Sequence, residues 1–151
     1  LSAIFDSNEW ETGDLHWQIS RVGVPWFGVN DTAVGRKFSG SLITPGEWVH
    51  VVMVLSGKES RAEVYVNGVA VNRGDFPDSV LVTPGRCRLG NWLQDPEWAH
   101  APVRALRGRI DELAVWNRPL SEKEIKAIMK IGQPAPLWSV SPALSLNHNL
   151  K

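Results

Sequence analysis

Paired carboxylates are the first residues to consider, because glycoside hydrolysis needs two of them on facing side chains about 5 to 9 Å apart. Asp111 and Glu112 are adjacent, and adjacent side chains in a regular strand point to opposite faces. The sequence has no Glu-x-Asp-x-x-Glu triplet and no Gly-x-Ser-x-Gly segment that would expose a nucleophilic serine. The chain is therefore predicted not to be an enzyme, and both carboxylates are interpreted as hydrogen-bonding groups of a loop or helix end.

A metal site is the second chemistry to test. Calcium takes about six to eight oxygen ligands, and the sequence contains no compact Asp-x-Asp cluster to supply them. Candidate oxygens come from residues that are also common turn formers, namely Asn30, Asp31, Asp75, Asp78 and Asp95. The four histidines, at positions 16, 50, 100 and 148, lack zinc-type spacing. The sequence therefore predicts no metal and no cofactor, with calcium as the remaining alternative.

Alternating residues in two predicted strands suggest a ligand-binding face. Leu15, Trp17 and Ile19 form the apolar set of one strand, so His16 and Gln18 point to the opposite face. In a second strand, Glu63 and Tyr65 oppose the apolar residues at positions 62, 64 and 66 in the same way. If the sheets are bent, these four polar residues would line a concave face.

Tryptophan is unusually frequent, with eight copies against one tyrosine. Trp92 and Trp98, together with Asp95 and His100 in a predicted loop, would offer flat faces for a sugar ring. The alternative is that Trp92 and Trp98 cover the edge of the fold. Other tryptophans are predicted to lie in the core, namely Trp17, Trp48 and Trp116. The candidate ligand-binding residues are thus His16, Gln18, Glu63, Tyr65, Trp92, Asp95, Trp98 and His100.

Short alternating runs separated by Gly, Pro, Asn and Asp predict a β protein. The predicted strands are Ser2–Phe5, Leu15–Ile19, Trp26–Val29, Phe38–Leu42, Trp48–Leu55, Ala62–Val66, Val69–Val71, Val80–Val82, Cys87–Trp92 and Gly108–Trp116. Asn67-Gly68 predicts a tight hairpin turn. A bulge near Asp111-Glu112 would bring the apolar residues of the last strand to one face.

One helix is predicted after these strands. Ser121 and Glu124 have the spacing of a capping box, an apolar stripe follows, and Gly132 ends the helix. Residues 133–151, which contain three prolines, are interpreted as a linker or a loosely docked tail. The predicted organisation is a sandwich domain over residues 1–132 and this tail over residues 133–151.

Composition excludes several classes of partner. Sixteen basic and sixteen acidic residues give a net charge of zero, whereas nucleic-acid and anionic-membrane binders usually carry a basic face. No apolar run approaches the roughly 20 residues of a membrane helix. Cys87 is the one cysteine, so no disulfide forms within the chain, and the thiol is interpreted as a small buried hydrophobe.

Four motifs occur in a fixed order along the chain. They read G-E-W-V-H-V-V from residue 46, E-V-Y-V-N-G from residue 63, L-G-N-W from residue 89 and G-R-I-D-E-L-A-V-W-N-R-P-L-S from residue 108. In this order they resemble the laminin-G-like, concanavalin A-like family of bacterial surface proteins, over about residues 1–132. The resemblance implies an all-β jelly-roll sandwich of two antiparallel sheets with one short C-terminal helix.

The resemblance also concerns the parent protein. Residues 4–19 are similar to laminin-G-like modules of large bacterial proteins, some of which carry a FecR-like regulatory domain. Family members usually begin with further strands, and none precedes Leu1. We therefore expect either that the N-terminal strands are missing from the numbered chain or that residues 137–148 replace one.

For function, the resemblance implies a non-enzymatic binding or adhesion module, with carbohydrate as the expected ligand. The expected location is extracytoplasmic, in the periplasm or at the cell surface, within a larger exported or membrane-anchored protein. A protein–protein interaction or structural spacer module is the alternative. A glycoside hydrolase-like domain is the third hypothesis.

Overall fold

The computed structural model describes residues 2–7, 11–30, 43–92 and 104–132, and every structural statement below concerns these residues. The strands are β1 (Ser2–Ser7), β2 (Leu15–Ile19), β3 (Pro25–Val29), β4 (Val51–Ser56), β5 (Arg61–Val66), β6 (Val69–Asp75) and β7 (Cys87–Leu89), and the helix is α1 (Glu122–Ile131). The predicted strand Phe38–Leu42, the residues Asp31, Asp95, Trp98 and His100, and the tail at 133–151 lie outside the described residues.

The strands form two antiparallel sheets. The first, sheet A, has the order β3-β2-β1-β7, and the second, sheet B, has the order β4-β5-β6. All the pairings are antiparallel. The predicted architecture of two antiparallel sheets with one short helix is confirmed.

The β5–β6 hairpin follows its predicted turn. Val66 pairs with Val69, and Asn67 and Gly68 between them have φ values of 49° and 76°. Two successive residues with positive φ are the requirement of a type I′ turn, whose twist matches that of the strands. Asparagine and glycine tolerate this region better than other residues, so these two residues define the turn locally.

The main core lies between the sheets and is built by alternation along the strands. Sheet A contributes Leu15, Phe27 and Val29, and sheet B contributes Ala62 and Val64. These residues occupy alternate positions, so their neighbours along each strand point to the outer faces of the sandwich. Trp17 packs against this core, as predicted.

The helix covers the outer face of sheet B. Leu120 and Ile125 pack against Val54 and Tyr65 in a second apolar cluster. The predicted capping box is confirmed, because the Ser121 hydroxyl accepts from the Glu124 amide and the Glu124 carboxylate accepts from the Ser121 amide.

Replacing Ser121 with alanine is expected to lower the free energy of unfolding by about 1 kcal/mol, because the first turn of α1 loses a side-chain acceptor. Ser121→Thr keeps a hydroxyl at the cap and serves as the control. Urea denaturation followed by circular dichroism measures both. Equal losses in the two variants would contradict a capping role.

Two predicted strands are wrong. Val80–Val82 and Gly108–Trp116 form no strand in the part of the chain that the structure describes. The first is held by isolated hydrogen bonds, from Val80 to Pro77 and from Thr83 to Gly13, instead of a ladder. The second is interrupted by Glu112, whose φ is 53°. Alternation of apolar and polar residues favours a strand, but a strand also needs a neighbouring strand with which to form backbone hydrogen bonds.

The core assignment of two tryptophans is also wrong. Trp48 is 67% exposed and Trp116 is 42% exposed. Trp48 precedes β4, which begins at Val51 instead of the predicted position, and Trp116 belongs to the segment that forms no strand. Neither residue therefore has a sheet beneath it to direct its ring inward.

Candidate functional site

The outer face of sheet A carries polar side chains from three of its strands. Asp6 of β1 lies opposite His16 of β2 and Arg88 of β7 in the strand register, and Gln18 lies opposite Trp26 of β3. Cross-strand partners project from the same side of a sheet. We call these five residues the polar face. The predicted outward orientation of His16 and Gln18 is consistent with this arrangement.

Three members of the polar face form a compact buried group. Gln18 Nε2 donates a 2.6 Å hydrogen bond to Asp6 Oδ2, and His16 Nδ1 lies 3.6 Å from Asp6 Oδ1. All three side chains are buried. Burial raises the pKa of the Asp6 carboxyl above its ordinary value, and His16, Gln18 and the Trp17 backbone oppose part of that rise.

Two acceptor atoms of this group have unused capacity. Asp6 Oδ1 and Gln18 Oε1 make no hydrogen bond of normal length within the described residues, and Asp6 Oδ1 has only the 3.6 Å contact with His16 Nδ1. A buried acceptor without a partner costs about 1–3 kcal/mol, so a sheet built only for stability would place an apolar residue or a paired group here. The arrangement is suited to a ligand that donates hydrogen bonds, such as a hydroxyl group.

Glu63 and Tyr65 lie on the outer face of sheet B, away from His16 and Gln18. The alternation predicted for β5 is confirmed, because Ala62 and Val64 enter the main core and Tyr65 packs under α1. However, the four polar residues do not share one face. The sequence placed each pair correctly on its own strand but could not reveal that the two strands belong to different sheets.

Glu63 is the centre of an ionic network. Its carboxylate accepts from Tyr65 Oη at 2.6 Å and from Arg61 Nη1 at 2.6 Å, and it pairs with Arg73 Nε at 2.8 Å. Burial, followed by the hydrogen bond and charge of Glu63, raises the pKa of Tyr65 to about 12. Both oxygens of Glu63 have partners, which is the arrangement of a structural ion network. Participation of Glu63 and Tyr65 in ligand binding stays a prediction.

Of Trp92 and Trp98, the two tryptophans predicted to contact a sugar ring, Trp92 is the one that the structure describes. Its side chain is buried, and the Arg104 guanidinium carbon lies 4.5 Å from the centre of its ring. This cation–π contact already occupies one face of the indole. Asp95, Trp98 and His100 lie outside the described residues, so their place in a site stays a prediction.

The sequence analysis missed Asp6, Trp26 and Arg88. Asp6 directly follows the predicted strand, which ended at Phe5, whereas β1 continues to Ser7. Trp26 and Arg88 join the face only through pairing with Gln18 and Asp6. Such pairing is not visible in the sequence of one strand.

The described residues contain neither a cluster of metal ligands nor a membrane-spanning helix. No three His, Cys, Asp or Glu side chains there come close enough to hold a metal ion. The side chain of Asp111 accepts from the Glu112 amide at 2.9 Å, which is the loop role expected of it. The helix of the described chain is too short and too polar to span a bilayer.

Together these features define an antiparallel two-sheet β-sandwich with one polar outer face. The chain belongs to the concanavalin A-like lectin/glucanases superfamily, whose laminin-G-type family model matches residues 2–126. This confirms the resemblance found in the sequence motifs. The superfamily contains both lectins and glucanases by name, so membership alone does not decide whether the domain catalyses a reaction.

No curated protein matches the chain. Among solved structures, an S-layer domain-containing protein from Clostridium thermocellum is similar, with 24% sequence identity and a TM-score of 0.47. The similarity covers 85% of this chain and 62% of that one. This chain thus matches less than two thirds of that protein's solved length.

Proposed function

We propose that this domain is a non-catalytic module that binds a neutral carbohydrate on the polar face of sheet A. The observation that carries the proposal is the pair of buried acceptors, Asp6 Oδ1 and Gln18 Oε1, that make no hydrogen bond of normal length within the described residues. Sugar hydroxyls are donors that suit two such acceptors. The 2.6 Å hydrogen bond between Gln18 and Asp6 fixes both groups beforehand, which reduces the entropy lost on binding.

The more accessible members of the polar face give the ligand its approach. Arg88 is exposed and Trp26 is half-buried, whereas Asp6, His16 and Gln18 are closed to contact from bulk solvent in this conformation. A sugar ring would stack on the indole of Trp26 and accept a hydrogen bond from Arg88. A shift of the side chains above Asp6 and Gln18 would then let one of its hydroxyls reach the acceptors beneath.

The composition of the polar face supports binding without catalysis. Glycoside hydrolysis uses two carboxylates on either side of the scissile bond. The strand partners of Asp6 on this face are His16 and Arg88, and the partner of Gln18 is Trp26. None of these positions supplies a second carboxylate. As part of the same proposal, the module functions outside the cytoplasm, in the periplasm or at the cell surface, within a larger protein.

A protein-binding module is the second candidate. It is favoured by the apolar side chains that are exposed before α1, among them Val115 and Trp116. Exposed apolar patches often mark contacts with other polypeptides. If the ligand is a protein that contacts these apolar side chains, substitutions on the polar face should not change its binding. The same set of variants therefore distinguishes the two candidates.

On a glycan array, Trp26→Ala and Arg88→Ala are each expected to weaken the strongest signal at least about tenfold, equivalent to about 1.4 kcal/mol of binding free energy. Trp48→Ala and Lys123→Ala are the matched controls. They remove a tryptophan and a basic residue from exposed positions away from sheet A, and their signals should be unchanged. Trp92→Ala and Trp98→Ala test the site predicted from the sequence.

Melting temperatures of all variants confirm that loss of signal is not loss of fold. Unchanged glycan binding in Trp26→Ala and Arg88→Ala would overturn the site on the polar face. Loss confined to Trp92→Ala or Trp98→Ala would move it to the predicted loop. Release of reducing sugar from a bound β-glucan would overturn the non-catalytic proposal.

A further inference from the structure

The turn between β5 and β6 contains the one asparagine of the chain that is followed by glycine. The chain has eight asparagines, and Asn67 alone precedes a glycine, Gly68. Glycine has no side chain, so its backbone nitrogen can approach a neighbouring group without steric hindrance. Position 67 is therefore where the backbone can most readily attack an asparagine side chain.

The reaction that this pair of residues permits is deamidation through a cyclic imide. Hydroxide from the solvent removes the Gly68 amide proton, and the nitrogen forms a bond to Asn67 Cγ. The bond between Cγ and Nδ2 then breaks, and Nδ2 takes a proton from water and leaves as ammonia. Water opens the imide at Cγ to give aspartate, or at the main-chain carbonyl carbon to give isoaspartate.

The folded turn keeps the two reacting atoms apart. The first residue of a type I′ turn has a ψ of about 30°, which places the Gly68 nitrogen roughly anti to Asn67 Cβ, whereas ring closure requires these two atoms to be eclipsed. The Asn67 side chain is also fixed, because its Oδ1 accepts a 3.0 Å hydrogen bond from the His50 amide. The Asn67 amide in turn donates to the His50 carbonyl oxygen at 2.8 Å. The reaction therefore requires the turn to open.

Helix α1 covers the glycine of this turn. Gly68 is buried, although Asn67 is exposed. A Cβ placed on Gly68 would lie 3.1 Å from Lys126 Cγ and 3.6 Å from the Met129 sulfur. Rotation about the Asn67 Cα–C bond displaces the Gly68 backbone, which these helix side chains confine. Opening of the turn is thus coupled to release of α1 from sheet B.

We propose that Asn67 is a modification site, and that the docking of α1 on sheet B controls the rate of its deamidation. Each opening of the turn exposes Asn67 to an irreversible reaction, so the modification converts a transient local opening into a permanent covalent change. This inference does not depend on the proposed function of the polar face.

The two products have different effects on the hairpin. Aspartate keeps an oxygen acceptor for the His50 amide, and Asp-Gly is a favoured pair in a type I′ turn. Isoaspartate leads the main chain through Cγ and so adds an atom to the backbone of a two-residue turn. Because the length of the turn sets the register, isoaspartate prevents Val66 from pairing with Val69 as it does in the folded protein.

Peptide mapping by mass spectrometry measures deamidation of the full chain at mildly alkaline pH. Asn67 is expected to react at least about tenfold faster in urea-unfolded protein than in folded protein, because folding withholds the reactive geometry. Asn72 lies on the same tryptic peptide, residues 62–73, and precedes an arginine, so it is the internal reference. Equal rates at Asn67 in the two states, or a rate in urea no greater than that of Asn72, would overturn the proposal.

Two helix variants test the control by α1. Met129→Ala uncovers Gly68 and leaves Ile125 in place, whereas Ile125→Ala loosens the docking of the whole helix. Each is expected to accelerate deamidation of the folded protein at least about threefold, with circular dichroism confirming that the protein is folded. Ile131→Ala changes an exposed side chain of the same helix and should react as the wild type does. The same rate in all three variants would show that α1 does not control the reaction.

Refolding distinguishes the two products. Protein deamidated in urea is diluted into native buffer, and size-exclusion chromatography separates native from non-native molecules. Isoaspartate should be concentrated in the non-native fraction and aspartate in the native fraction. Asn67→Asp has the same charge on an ordinary backbone and should refold as the wild type does. An equal distribution of the two products would contradict the predicted loss of the hairpin.

Discussion

Replacing Ile125 with alanine is expected to lower the free energy of unfolding by about 2–5 kcal/mol, a large part of the stability of a domain of this size. The Ile125 side chain is 0% exposed and lies among Val54, Tyr65 and Leu120. It is the buried residue of α1, so the truncation leaves a cavity where the helix meets sheet B. Equilibrium denaturation in urea measures the loss.

Ile131→Ala is the matched control for this prediction. It makes the same chemical change in the same helix at a side chain that is 84% exposed, so the expected change is within about 0.5 kcal/mol. Similar losses in the two variants would mean that helix propensity, and not burial, determines the effect. That outcome would contradict docking of α1 on sheet B through Ile125.

Elements that are specified by neighbouring residues were predictable from the sequence. The Asn67-Gly68 turn depends on two residues that tolerate positive φ. The start of α1 depends on Ser121 and Glu124, which bond to each other across one turn. In both cases the interacting atoms belong to residues three or fewer positions apart, so the sequence pattern contains the complete physical cause.

Elements that depend on a distant partner were less predictable. Residues 108–116 were predicted to form a strand with a bulge near Asp111-Glu112, yet they have no ladder among the described residues. The stability of a strand comes from its cross-strand neighbours, and a single segment does not reveal whether those neighbours exist. The exposure of Trp116 has the same origin.

The candidate site depends both on patterns within single strands and on pairing between distant strands. Alternation correctly separated His16 and Gln18 from the core residues of β2, and Glu63 and Tyr65 from those of β5. It could not assign β2 and β5 to different sheets, because sheet membership is set by pairing between distant segments. Asp6 and Arg88 enter the site through such pairing, and they were missed for that reason.

Tyr65 is expected to titrate at about pH 12 in the folded protein, compared with an ordinary value of 10.0. Burial is the main cause, and the adjacent Glu63 carboxylate adds a hydrogen bond to the protonated hydroxyl and repels the phenolate. The measurement is direct because the chain contains one tyrosine. Its phenolate absorbance can therefore be assigned without mutagenesis, and the eight tryptophans do not ionise in this range.

Glu63→Gln is expected to move this pKa back toward 10.0, since the negative charge is removed while an oxygen acceptor is retained. The variant should also be less stable, because Arg61 and Arg73 lose their common carboxylate. An unchanged Tyr65 pKa in Glu63→Gln would mean that burial alone causes the shift.

The raised pKa has a consequence for stability, with a definite sign. Below pH 10.0 the tyrosine is protonated in both the folded and the unfolded states, so its contribution is fully present. Between pH 10.0 and about 12 the unfolded chain releases the proton while the folded protein retains it, and stability falls by on the order of 2 kcal/mol. Tyr65→Phe keeps the ring under α1 but has no proton to lose. Its free energy of unfolding should therefore decline less steeply than that of the wild type over this interval, and parallel declines would contradict the link between Tyr65 ionisation and folding.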